Sequence, residues 1–351
     1  MFEIILIWFN KKAWKKMTVF DGKKILITGG TGSLGQALTQ RLLKSKVDNI
    51  RIFSRNEEKQ IEMESKFNDN RLRFFLGDVR DYHRLEMALE DIDIVFHAAA
   101  LKHVPKIEYN PFEAIKTNVI GSQNVIDACV KENVKKAVCI GTDKAVSPLN
   151  TYGATKLLME KLFVTANNFL NKEKYQTRFI ALRYGNVLGS SGSVTPKIVE
   201  QIKNHKKITI TDPQMTRFNI TMDKALDFIL QATDLGQGSE IFVPKLKAYS
   251  ITDLVEVLKE MFGHADQEIV GIRPGEKLHE TLINREEMRY TWEYNNMYLV
   301  TNPLYPLFHD NEIKSTYKGI KKIENIAEYS SDRADKIPKE ELKNNIRSLE
   351  I

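Results

Sequence analysis

Cysteine is scarce in this chain: there are two in 351 residues, Cys129 and Cys139. They lack metal-binding spacing and fall in apolar helix or strand patterns. They point to reduced core thiols in a cytoplasmic setting, not to a metal centre. A basic stripe is missing too. Net charge is +6, but the lysines and arginines are scattered, many beside acidic residues. That pattern speaks against nucleic acid as a partner and leaves a solvated surface with room for an anionic ligand. No apolar run is long enough to span a bilayer. The nearest candidate, Met1 to Phe9, is followed by Lys11, Lys12, Lys15 and Lys16 and by no small-residue cleavage site, so it makes a poor signal peptide. Two readings stand for residues 1–16: an interfacial anchor, or an extension ahead of a natural start at Met17. Repeats, low-complexity tracts and long linkers are absent as well.

What is present supports a core: 42% of residues are hydrophobic and 28% charged. The length suits one large domain or two smaller ones. Short apolar runs at 24–28, 50–54, 72–76, 93–97, 136–141 and 178–182 alternate with helical periodicity at 34–44, 82–90, 112–132 and 153–170. Strands alternating with helices predict a parallel sheet with crossovers on both faces. Unbroken apolar strands such as Ile25-Leu26-Ile27 fit a sheet buried on both sides. After about residue 188 the rhythm breaks into shorter strands (208–211, 240–243, 268–272) and helices at 194–204, 222–234 and 251–262. The expected fold is therefore α/β, a Rossmann-type doubly wound parallel sheet with a smaller C-terminal α/β substrate-binding cap. The expected division is an extension at 1–20, a dinucleotide-binding domain at 21–188, and a unit at 189–351 that is mainly cap, with strands that can return to the sheet.

The first strand runs through Thr28 into Gly29-Gly30-Thr31-Gly32-Ser33-Leu34-Gly35, and a helix follows. Glycines there allow a tight turn and close approach of backbone to a pyrophosphate, which the helix N-terminus then attracts. An NAD-preferring site places a carboxylate about 20 residues on, at the tip of the second strand. Here that tip reads Ser54-Arg55-Asn56, with Lys59 close behind. Arg55 and Lys59 suit a ribose 2′-phosphate, so the expected cofactor is NADP, with NAD as the alternative. Asp78 and Val79 follow the third strand and would flank the adenine. Ala98, Ala99 and Ala100 follow the fourth and leave room for the cofactor, while Lys102 and His103 are placed to face cofactor or substrate.

The densest chemistry lies in Thr142-Asp143-Lys144 and Tyr152-Gly153-Ala154-Thr155-Lys156. Tyr152 and Lys156 are four residues apart, one turn of helix and one face. A phenol with a pKa near about 10 is a poor base at neutral pH. A neighbouring ammonium stabilises the phenolate, so the pair is a proton acceptor for an alcohol.

Together these segments resemble the extended short-chain dehydrogenase/reductase superfamily over nearly the whole chain from about residue 20. More narrowly, the chain resembles the inverting UDP-N-acetylglucosamine 4,6-dehydratases (5-epimerising), which open the pseudaminic acid pathway. The resemblance is carried by the glycine loop, Gly77-Asp78-Val79-Arg80-Asp81 and His97-Ala98-Ala99-Ala100-Leu101-Lys102-His103-Val104-Pro105. Thr142-Asp143-Lys144-Ala145, the Tyr152 segment, Arg183-Tyr184-Gly185-Asn186-Val187, Met215-Thr216-Arg217-Phe218 and Arg273-Pro274-Gly275-Glu276-Lys277 complete it. The Thr-Asp-Lys, Met-Thr-Arg-Phe and Arg-Pro-Gly-Glu-Lys segments are the narrow ones.

The resemblance implies a mechanism. The cofactor takes the C4 hydride while Tyr152 takes the hydroxyl proton, with Thr142 bonding that oxygen and Lys156 holding the phenolate and the nicotinamide ribose. The C4 ketone acidifies C5–H. Lys144 is then the base at C5, and Asp143 the acid for the departing C6 hydroxyl. Hydride returns to C6, and reprotonation of C5 from the opposite face inverts it. Retaining relatives typically carry Asp-Glu where this chain has Asp143-Lys144, and related capsule enzymes have Met in place of Tyr152. For Lys144 to serve as a base, burial or nearby positive charge is expected to depress its pKa.

The implied substrate is a UDP-sugar. Asn186 would reach it, and Arg217 and Arg273 would grip the diphosphate or uridine end, with Glu276 beside Arg273. Lys102 and His103 join this set. Ser191 stands where the family often shows Arg. Association into a homo-oligomer is expected, through the helices that carry Tyr152. Two other readings remain: a nucleotide-sugar 4-epimerase or 4-ketoreductase, and a non-catalytic NADP-binding scaffold.

Overall fold

A computed structural model describes residues 18–190, 192–302, 304, 310–324 and 327–349. The segment before Met17 and position 191, both singled out above, lie outside the described residues. Ten strands form the main sheet: β1 (Lys24–Thr28), β2 (Asn49–Ser54), β3 (Leu72–Leu76), β4 (Ile94–His97), β5 (Lys136–Ile140), β6 (Arg178–Leu182), β7 (Ile241–Pro244), β8 (Thr291–Tyr294), β9 (Met297–Val300) and β10 (Lys321–Lys322). Their order is β10-β8-β9-β7-β6-β5-β4-β1-β2-β3. Strands β1 to β7 run parallel, and β9, β8 and β10 extend the edge antiparallel. The Rossmann-type α/β architecture is thus realised.

Alternation along each parallel strand explains why both faces are covered. Ile25 and Ile27 enter one core cluster and Leu26 the other; Val138 and Ile140 oppose Ala137 and Cys139 in the same way. Each fully buried aliphatic side chain contributes roughly 1.5–3 kcal/mol, so neither face can be left to solvent. Cys129 and Cys139 are both buried and unpaired, and burial pushes the Cys139 thiol up to about 12.

A third apolar cluster builds the cap, joining the Val194–Lys203, Ile251–Phe262 and Lys339–Arg347 helices through Ile198, Ile202, Leu254, Leu258, Leu342 and Ile346. The residues after 189 are not cap alone, since β7 to β10 lie in the main sheet. Among the described residues no helix is long and apolar enough to cross a membrane. The strand order reverses between β1 and β4, and that switch point opens a crevice at the carboxyl ends of the strands.

Candidate active site

The loop after β1 lines a cavity of about 700 Å³ at this switch point. Gly29 has φ +67°, and a Cβ there would stand 2.9 Å from the Ala99 backbone. Gly35 lies so close to Gly30 that a Cβ would meet its carbonyl at 2.4 Å. The Ser33–Leu42 helix is capped by Gly32 without a side-chain hydrogen bond. Its first N–H groups are left for an anion. A backbone cradle, an uncapped helix end and a long cavity fit a dinucleotide. Gly29, Thr31, Gly32, Ser33, Leu34 and Gly35 line it, and so do Ser54, Arg55, Lys59, Asp78, Val79, Ala98, Ala99, Ala100, Lys102, Tyr152 and Lys156.

Thr28 lies beneath that floor. Its hydroxyl meets His97 Nδ1 at 2.7 Å, and His97 Nε2 meets Ser122 Oγ at 3.0 Å. Burial, helped by Lys156, lowers the His97 pKa to about 3, so the ring is a neutral strut. The β2 tip itself reads Ser54-Arg55-Asn56, but Asp78 and Glu62 line the same cavity. Arg55 is half exposed and 3.4 Å from Asp78, whose carboxylate Arg80 also holds.

The Thr142-Asp143-Lys144 turn follows β5 and packs against the Thr151–Ala166 helix. Asn150 caps that helix by accepting from Gly153 N at 2.8 Å, so the helix starts before residue 153 and Tyr152 sits in its first turn. Gly153 is required by proximity: a Cβ would stand 2.3 Å from the Lys144 carbonyl and 2.9 Å from Pro148. Gly153→Ala is expected to lower turnover by about 100-fold through displacement of the phenol. Steady-state kinetics should show it while the far-ultraviolet circular dichroism stays native. Unchanged kcat in that variant would mean the contact does not set the geometry.

Four polar side chains meet around Lys144. Its Nζ donates to Asp143 Oδ1 at 3.1 Å and Asn186 Oδ1 at 3.1 Å, and stands 3.3 Å from Glu280 Oε1. Thr142 Oγ1 donates to the same Asp143 oxygen at 2.8 Å. Burial disfavours the ammonium, but Asp143 and Glu280 together outweigh it, and the Lys144 pKa is raised. The depressed pKa that a base role asks for is not found in the free protein: burial is there, but the two carboxylates outweigh it. The Tyr152 phenol is pushed up to about 12 by burial; Lys144 and a hydrogen bond with Thr142 lower it, and Asp143 raises it. Lys156 does not hold the phenol here. Its Nζ donates to the Ile140 carbonyl at 2.6 Å and to Met159 Sδ at 3.1 Å, and burial lowers its pKa.

A second cavity, about 280 Å³, adjoins the first, and Asn186 and Val187 line both. Tyr152 and Thr142 face the first, Lys144 the second. Arg273 and Glu276 line the second and pair at 3.7 Å. Arg217 also lines it, but most of its guanidinium serves the backbone, donating to Thr216, Leu278 and Lys277 carbonyls at 2.7, 3.0 and 3.1 Å. That grip shapes the Arg273–Lys277 turn. His103 is exposed; its neighbours Val104 and Pro105 line the cavity.

Two site residues escaped the sequence reading. Asn118 lies in a π-helical stretch, Ile115–Ile120, inside what periodicity gave as one helix. Its amide clamps Leu101 N and O at 2.8 and 3.0 Å and donates to Thr155 at 3.0 Å, tying the loop after β4 to the Tyr152 helix. Such bulges often mark functional sites, but nothing in the local pattern announces one. Glu280 is the other. It precedes an apolar strand, and only a search for partners of Lys144 would single it out.

Residues 25–302 match the family model described as polysaccharide biosynthesis protein. The chain is 47% identical to the inverting UDP-N-acetylglucosamine 4,6-dehydratase of Campylobacter jejuni subsp. jejuni serotype O:23/36 (strain 81-176), over 90% of this chain and 94% of that protein. It is 40% identical to a Rickettsia felis protein named UDP-glucose 4-epimerase, over 95% of this chain and 97% of the other. Among solved structures, Pen from Bacillus thuringiensis superposes with a TM-score of 0.84 at 40% identity, covering 93% of this chain and 98% of that one.

Proposed function

Because this chain belongs to the polysaccharide biosynthesis protein family, we propose that it is a UDP-N-acetylglucosamine 4,6-dehydratase that inverts C5. The product is a UDP-2-acetamido-2,6-dideoxy-L-arabino-hexos-4-ulose, a first step toward pseudaminic acid or related glycans. One observation carries this reading: Lys144 lines the second cavity and links Asn186, where the two cavities meet, to Asp143 buried behind it. The Campylobacter jejuni relative, named for this activity, supports it.

Bound nicotinamide supplies a hydride acceptor for C4 and a donor for C6. Tyr152 takes the C4 hydroxyl proton, with Thr142 bonding the same oxygen. Its phenol lies above the ordinary range in the free protein, so it needs the cations of the filled site to act as a base. Lys144 already lowers the phenol pKa, and Lys156, one helical turn on, would add to this once it turns from the Ile140 carbonyl. Lys144 then removes the C5 proton and Asp143 protonates the leaving C6 hydroxyl. The base must start neutral and the acid protonated. A proton passing along the 3.1 Å contact from Nζ to Oδ1 sets both states at once. The raised Lys144 pKa opposes that transfer, so bound substrate must weaken the ion pair before Lys144 can act, and inversion then requires C5 to take a solvent-derived proton from the face opposite Lys144.

We assign the cofactor as NADP, with Arg55 and Lys59 at the 2′-phosphate. Arg55→Ala is expected to weaken NADP about tenfold and leave NAD within error, since one charge-assisted contact is lost. Fluorescence titration with both cofactors measures it, and equal losses would remove the assignment. The substrate diphosphate is placed in the second cavity near Arg273. Exposed Tyr109, Phe112 and Leu158 beside the Tyr152 helix support pairing of two copies there, and the setting proposed is cytoplasmic.

The Rickettsia felis relative favours a second reading, C4 epimerisation. That reaction needs Tyr152, Thr142 and Lys156 and gives the Asp143–Lys144 pair no task. Proton NMR of UDP-N-acetylglucosamine with enzyme in D2O separates the two. A C6 methyl with deuterium at an inverted C5 is the expected result. A C4 epimer without methyl would replace the dehydratase by an epimerase, and a methyl with original C5 geometry would remove inversion.

A further inference from the structure

Lys144 has two carboxylate neighbours, and the reaction above uses one. Glu280 is 3% exposed and held rigidly: its N–H donates to Ser331 Oγ at 2.9 Å, and its carbonyl accepts from Ser331 N at 2.8 Å. Oε1 faces Lys144 Nζ at 3.3 Å and Arg217 Nε at 3.8 Å. Oε2 is buried with no hydrogen-bond partner among the described residues. A buried carboxylate with an idle oxygen is costly to keep, and this one abuts the base.

Deprotonation of C5 breaks the C5–H bond, forms an N–H bond at Nζ and leaves the electron pair in the enolate. Positive charge therefore develops on Lys144. Asp143 cannot answer it in that step, because it then carries the proton meant for the C6 hydroxyl and is neutral. Glu280 lines the second cavity beside Lys144, and its fixed backbone keeps a carboxylate against the amine through that step. The buried carboxylate of a Ser-His-Asp triad serves its imidazolium in the same way. Resting on the dehydratase reading, we propose that Glu280 is the positioning residue of Lys144, holding the amine aimed at the sugar site from the resting ion pair through C5 deprotonation. Glu280 itself neither gains nor loses a proton. The other ionisable side chains bearing on this pair are Asp143, Tyr152, Arg217, Tyr249 and Lys277.

The test compares wild type, Glu280→Gln and Glu280→Asp in D2O, with single-turnover reduced-nicotinamide absorbance as a separate record of C4 oxidation. Wild type is read first: absence of a C6 methyl with C5 deuterium there sinks the dehydratase reading itself. Given that signal, Glu280→Gln is expected to lose about 100-fold in kcat with KM within about threefold. Deuterium entry at C5 falls in step, C4 oxidation persists, and Glu280→Asp recovers part of the loss. The basic limb of the kcat profile moves to lower pH, because the carboxylate that retains the Lys144 proton is gone. A merely structural Glu280 would slow both steps equally and leave that limb in place, which overturns the proposal, as does a Glu280→Gln enzyme with wild-type kcat. If Glu280→Gln does not fold, Glu280→Asp decides by the same separation of C5 exchange from C4 oxidation.

Discussion

Lys144→Ala enzyme is expected to oxidise C4 of UDP-N-acetylglucosamine and stop there. Reduced nicotinamide should appear in a single turnover, while C6 methyl formation falls by about 10²–10⁴-fold, the usual share of a general base. The two signals separate because Tyr152 and Lys144 face different cavities that join at Asn186. A pH effect accompanies the loss. The Lys144 cation lowers the Tyr152 pKa, so its removal raises it. Tyr152 acts deprotonated, and the acidic limb of C4 oxidation must therefore move to higher pH in the variant. Methyl formation at wild-type rate would remove Lys144 from the mechanism. A limb moving the other way would mean that a different group controls the first step.

Tyr152→Phe should fail one step earlier. Without the phenol the C4 hydroxyl has no proton acceptor, so neither reduced nicotinamide, C5 deuterium nor methyl should form above about 10⁻² to 10⁻⁴ of the wild-type rate. The fold should be unaffected. The phenol's structural interaction is with Thr142, and the helix is held elsewhere by Asn150, Asn118 and a buried Arg183, which pairs with Glu160 on that helix and with Glu287. Thermal melts within a few degrees of wild type check that point. C5 exchange in Tyr152→Phe would show that the proton at C5 leaves without a C4 ketone, contrary to the chemistry argued here.

The parallel sheet was legible because its strands are short, mostly apolar runs, four of them followed by Gly29, Gly77, Ala98 or Gly141. The two cysteines were legible for the same reason. The Glu57–Phe67 helix was not, because it buries only Gln60 and Met63 and shows no apolar stripe. The β8–β9 hairpin turns at Asn295, at φ +52°. Asn295-Asn296 lacks the glycine that marks a two-residue hairpin turn, so the hairpin gave little local signal. In the site, residues close in sequence were found together. The protonation bias of Lys144 was only half legible: Asp143 is its neighbour in the chain, but Glu280 arrives from 136 residues further on. Arg217 looked like a phosphate ligand because a guanidinium suits phosphate, yet most of its donors are spent on carbonyls of the Arg273–Lys277 turn and its neighbours.

The contact between Gly153 and the Lys144 carbonyl separates where the reaction happens from which hand it delivers. Main-chain atoms fix the location of the turn and of the phenol, whatever side chain stands at position 144. Under the proposed mechanism, the stereochemical outcome turns on one side chain hung from that frame. A lineage could trade one sugar series for its mirror at C5 without renegotiating the fold.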